Sequence, residues 1–194
     1  MAIQTFEKIL AAARQANRDP GPRSADWFRD MARKTRTEPD VLMRNADTRR
    51  LTYRPEVGRM YAFFYDPKHK KTLPYYDTFP LIFPIETVPG GFMGLNFHYL
   101  PYMLRAKLMD ALYALRTNNA IDENTQLRMS YSLLKGSSRF DLFKPTLKRY
   151  LNSHVQSRFV EIFANEWDIA LMLPLARFEK ANYQTVWRDS RNAV

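Results

Sequence analysis

RMYAFFYDPKHKKTLPYYDTFPLIFPIETVPGGFMGLNFHYLP, residues 59–101, is the stretch that decides the fold class. From Tyr53 to Tyr102 lie thirteen of the chain's twenty-seven aromatic residues and seven of its twelve prolines. Aromatic side chains suit a pleated, half-buried surface, whereas repeated prolines restrict strands to edges, bends and bulges. Gly58 to Tyr65 reads as a first strand, closed by the turn signal Asp66-Pro67. Lys68-His69-Lys70-Lys71 falls at the tip of the following connection. A second strand begins near Thr72, is interrupted through Tyr75–Phe79 and continues over Leu81–Thr87. Pro89-Gly90-Gly91 turns the chain into a third strand, Phe92–Tyr99. The expectation is an α+β protein built on a small bent antiparallel sheet or an SH3-like barrel. It would use about residues 52–100 and a late strand near 155–163, with helices around it.

Upstream, Phe6, Ile9, Leu10 and Ala13 recur at helical spacing, and Asn17–Pro22 stops that helix. Ser24 then stands as N-cap to a second helix carrying Trp27, Phe28 and Met31 on one face. Glu38–Asn45 forms a third short turn. Residues 1–50 therefore read as a helical arm, and residues 51–194 as a single α+β core domain. Downstream, Pro101 opens a helix with Leu104, Leu108, Ala111, Leu112 and Leu115 in one stripe and Arg105 outside it. Further helices are expected over Glu123–Leu134 and Asp141–Asn152, the latter with Lys144 and Lys148 outward. A short helix carries Trp167, Leu171 and Met172 near the end.

The 194 residues carry a formal net charge of +10. All of that excess lies in the two flanks, with +5 in residues 1–60 and +5 in residues 102–194. A neutral centre flanked by basic sequence suits phosphate backbones or an acidic protein surface, as well as plain solubility. With no cysteine there is neither a disulfide nor a thiolate site. No apolar run reaches the length of a membrane span, and no membrane partner is expected.

The chemistry-bearing motifs are few. His69, His98 and His154 have no metal-ligand spacing, and His98 reads as a satisfied structural histidine. No glycine pattern for a phosphate-cradling loop is present. Asp66, Asp77, Glu86 and Glu166 would have to converge to form a metal-dependent nuclease, and turn capping explains Asp66 and Asp77 more economically. No catalytic residue, cofactor site or small-molecule substrate is therefore assigned.

The stronger pattern combines cations with aromatic rings. Lys68, His69, Lys70 and Lys71 stand beside Tyr75 and Tyr76, which suit contact with sugars or exposed bases. Arg49, Arg50 and Arg54 precede the sheet, and Lys144, Lys148 and Arg149 lie along the edge of the helix expected over Asp141–Asn152. Singly, each reads as a solvated charge. Together on one surface they would form a sequence-tolerant DNA-binding site.

Three segments carry a family likeness: MYAFFYDPKHKKTLPYYDTFPLIFPIE (60–86), GGFMGLNFHYLPYMLRAKLMDALY (90–113) and EWDIALMLPLARFEKA (166–181). Over roughly Trp27 to Arg188 the chain resembles small virion proteins of T-even-like contractile-tailed bacteriophages, and among them the DNA end protectors. The resemblance implies a non-enzymatic virion protein, assembled in the host cytoplasm at the head–tail junction. It would cover the end of packaged double-stranded DNA sterically, among other virion proteins. No catalytic residue comes with the resemblance. The alternative is an assembly subunit of the neck, tail or baseplate that makes protein contacts only.

Overall fold

The computed structural model describes residues 38–106, 108, 143–163 and 166–192. The expected helices over Ile3–Ala16, Ser24–Lys34 and Glu123–Leu134 lie outside the described residues. Six antiparallel strands form one sheet in the order β1-β7-β2-β4-β5-β6: β1 Leu51–Thr52, β2 Met60–Ala62, β4 Leu81–Val88, β5 Gly91–Asn96, β6 Leu147–Leu151 and β7 Phe159–Ile162. β3 (Tyr76–Asp77) pairs with β8 (Phe178–Glu179) in a small second ladder. The architecture is α+β with an open sheet. Of the two expected alternatives the bent sheet forms and the closed barrel does not, because among the described residues β1 and β6 each pair on one side only.

β4 and β5 are joined through Pro89 and Gly90, with Val88 opposite Gly91. Proline presets φ at the first turn position, and Gly90 takes φ +76° at the second, a region closed to most side chains. Pro84 sits inside β4, where a proline cannot donate to a ladder. The fold accommodates it because β2 pairs only with Leu81 and Ile82. Beyond them the register with β5 jumps between Pro84 and Glu86, a bulge that bends the strand.

Alternation along these strands divides the core between two faces. Met60, Ala62, Leu81, Phe83 and Leu95 face a large cluster that includes the short helix Trp167–Met172. Trp167 donates its Nε1–H to the Ile162 carbonyl at 2.9 Å and meets Phe83 edge-on at 5.6 Å. The helix Pro39–Asn45 contributes Leu42 to the same cluster. The opposite face is almost wholly aromatic: Tyr61, Phe63, Tyr65, Phe92, Tyr150 and Phe159, with Ile82. Phe63 lies 4.6 Å from Phe159 and 5.5 Å from Tyr150, ring centre to ring centre. Rings from β5, β6 and β7 thus meet at one point, which requires the sheet to curl around them.

Two expectations are corrected. Residues 147–151, read as part of a helix over Asp141–Asn152, form β6 against residues 91–95 of β5. Pairing overrides the helical spacing of Leu147, Tyr150 and Leu151, and Gly91 permits it: a Cβ there would lie 1.8 Å from the Tyr150 carbonyl oxygen. Arg105, expected outside the apolar stripe, is only 1 % exposed. Its guanidinium donates to the carbonyls of Leu100 (2.8 Å), Leu171 (2.9 Å) and His98 (3.4 Å) and lies over the Tyr102 ring. Burial holds its pKa down to about 10.

Candidate nucleic-acid interface

The basic-plus-aromatic residues divide by location. Arg49, Arg50 and Arg54 flank β1, at the opposite edge of the sheet from β6. Arg50 is buried in a two-pronged ion pair with Glu166, at 2.5 and 2.7 Å, and its guanidinium lies 4.0 Å from the Phe163 ring centre. A cation enclosed in this way serves the fold and is withdrawn from any external polyanion. Arg49 is exposed and grips Asp47 at 2.6 Å, holding that carboxyl down to about 2. Arg54 is exposed.

Lys68, His69, Tyr75, Tyr76, Lys148 and Arg149 come together. They line one cleft of about 600 Å³, although the two groups lie some seventy residues apart in sequence. Lys70 and Lys71 continue the exposed turn, and Lys144 is exposed in the residues leading into β6. Two local devices tie the lysine turn to the segment around β8. The first is the β3–β8 ladder, which sets Tyr76 opposite Glu179. The second is Lys180, whose ammonium donates to the carbonyls of Lys70 (2.5 Å), Lys71 (3.1 Å) and Leu73 (3.0 Å). Lys180 reaches them from a left-handed backbone conformation, φ 68°.

The cations of this region differ in their partners. Lys70 pairs with Asp66, both oxygens at 2.9 Å, in an exposed contact of small energetic weight. Arg149 donates to the Pro89 carbonyl at 3.1 Å. Lys68, Lys71 and Lys148 pair with no acidic side chain among the described residues. Lys148 is partly buried with its ammonium 4.1 Å from the centre of the Tyr99 ring, and desolvation lowers its pKa to about 8.

The base of the cleft is a polar network around Asp77. One oxygen accepts from the Phe79 N–H (3.0 Å) and the Arg177 N–H (3.3 Å). The other meets His98 Nδ1 (2.7 Å) and Asn96 Nδ2 (3.0 Å). The Phe79 bond is the turn cap that the sequence implied, and His98 is bound within the core. Burial lowers the His98 pKa, and Asp77 opposes that shift only in part.

Three of the four carboxylates of a conceivable nuclease are engaged apart from one another: Asp66 holds Lys70, Asp77 holds His98, and Glu166 holds Arg50. Among the described residues no group of three His, Asp or Glu is placed to bind a metal ion. Tyr99, Tyr150 and Lys180 complete the cleft or its support, and the sequence did not single them out. Tyr99 and Tyr150 resembled ordinary core aromatics, and only the pairing of β3 with β8 reveals Lys180.

No curated protein and no solved structure matches the chain. A family model does. The match runs over residues 3–190 to the family described as the phage T4 terminal DNA protecting protein, and the chain belongs to that family.

Proposed function

We propose that this protein caps the end of packaged double-stranded DNA at the head–tail junction, without bond-breaking chemistry of its own. It grips backbone phosphates through the lysine turn and β6 and denies exonucleases a free terminus. Family membership supplies the end-protecting role. The observation that supports this surface is the cleft joining Lys68 and His69 to Lys148 and Arg149. Phosphate contacts carry no sequence information, so affinity is indifferent to sequence.

Filter binding to a linear duplex at two salt concentrations tests the reading. With about four phosphates neutralised, affinity falls roughly 100-fold between 50 and 200 mM salt. Bound protein also slows exonuclease digestion of the linear duplex. Absence of binding to linear duplex at low salt would reject the reading and leave a subunit that contacts only its virion neighbours.

A further inference from the structure

Holding a phosphate backbone requires cations on an open surface. The cleft is more elaborate than that. Its volume, about 600 Å³, falls within the range of small-ligand sites, and tyrosine rings form much of its wall. Asp77, Asn96 and Tyr150 close it from below, and all three are buried. A pocket with a closed base suits a strand's end, whose last base can enter it.

We propose that the cleft seats the terminal nucleotide of one DNA strand, unpaired from its complement, with its base against Tyr75 and Tyr76 and its terminal phosphomonoester on Lys148 and Arg149. This rests on the end-protecting reading and adds the chemistry by which an end is told from an internal stretch. Two properties distinguish an end. A phosphomonoester carries up to two negative charges where an internal diester carries one. The last base has a single stacked face and is the cheapest to unpair.

The site answers both. Lys148 is a partly desolvated cation with no carboxylate partner among the described residues, so an incoming dianion supplies what the fold omits. Tyr75 and Tyr76 are half-buried in the cleft wall and offer aromatic surface for stacking, with Tyr99 packed behind Tyr75 at 6.2 Å. The Asp77 charge at the base fixes the orientation, keeping phosphate at the cationic rim and the neutral base inward.

The test is a fluorescence-anisotropy titration of the full chain with a short single-stranded oligonucleotide carrying a 5′-phosphate, a 3′-phosphate or hydroxyls only. The expected result is binding about tenfold tighter for one phosphorylated end than for the hydroxyl form. Lys148→Met abolishes that preference without lowering the melting temperature, and Tyr75→Ala weakens all forms about tenfold. Equal binding of all three oligonucleotides, or a phosphate preference that survives Lys148→Met, overturns the proposal. Protection of linear duplex regardless of terminal phosphate discards the cleft assignment but keeps the end-protecting reading. A Lys148-dependent phosphate preference without duplex protection does the reverse.

Discussion

Arg50 and Lys148 stand at opposite edges of one sheet and put their positive charges to opposite uses. Arg50 is enclosed, and its charge is matched by Glu166, the Glu161 carbonyl and the Phe163 ring. Lys148 is also partly buried, yet among the described residues its ammonium has only the Tyr99 ring. The first is a cation that the fold requires. The second is a cation that the fold tolerates at a cost, since desolvation disfavours its charged form. A charge satisfied internally stabilises structure, and a charge left short of partners is available to a ligand.

The largest effect expected is at the enclosed pair. Arg50→Ala strands the Glu166 carboxylate, which is 1 % exposed, and should cost about 3–5 kcal/mol in denaturant unfolding. Replacing both partners with apolar residues of similar size should recover most of that loss, because no unpaired charge remains. If Arg50→Ala unfolded at the wild-type denaturant concentration, the pair would not be structural and the contrast with Lys148 would collapse. Lys148→Met should move stability the other way, slightly upward, while weakening DNA binding.

A smaller effect concerns pH, and it separates the core below the cleft from its rim. The His98 pKa is lowered in the folded state, chiefly by burial. Between the lowered value and the unfolded value near 6.5, the unfolded chain binds more protons than the folded one. Stability is therefore full above about pH 6.5 and declines as pH falls below it. Protonation would also place an N–H at Nε2, a buried atom with no hydrogen-bond partner. Thermal melts from pH 7.5 to 5 should show the decline, and His98→Gln should flatten it. At the rim the sign reverses, because DNA binding needs Lys148 charged. Affinity should hold below about pH 8 and fall as pH rises through it, well before ordinary lysines near 10.4 lose their charge. Lys148→Arg should retain affinity across that window.

The contrast between these cations was only partly legible in the sequence. The β4–β5 hairpin was, because Pro89-Gly90 is a turn chemistry that few other dipeptides supply. The late strand and the Trp167–Met172 helix were also readable, each from its own apolar spacing. β6 was not: Leu147, Tyr150 and Leu151 repeat at helical intervals, and only the distant Gly91, with no Cβ, turns that segment into a strand. The same long-range pairing brings Lys148 and Arg149 to the lysine turn. Proximity of the two basic segments was therefore hidden even though every member of the cleft's cationic set was visible. Arg50 and Arg105 were hidden for another reason. An arginine's pattern reads as surface until the carboxylate or carbonyls that satisfy it are in place.

The smallest effect, Lys68→Gln, tests whether the lysine turn and β6 act as one surface. Lys68 is exposed at the cleft mouth and pairs with no acid among the described residues, so its removal should leave unfolding unchanged. If it neutralises one phosphate, the slope of log affinity against log salt should become shallower by about 0.9. Lys68→Gln/Lys148→Gln should shift the slope by the sum of the two single changes, because each cation displaces its own counterion. A double variant that matches one single, while the other single matches the wild type, would mean that only one of the two residues is on DNA. A slope unaffected by Lys68→Gln but altered at Lys148 would confine the interface to β6 and leave the lysine turn as solvated surface.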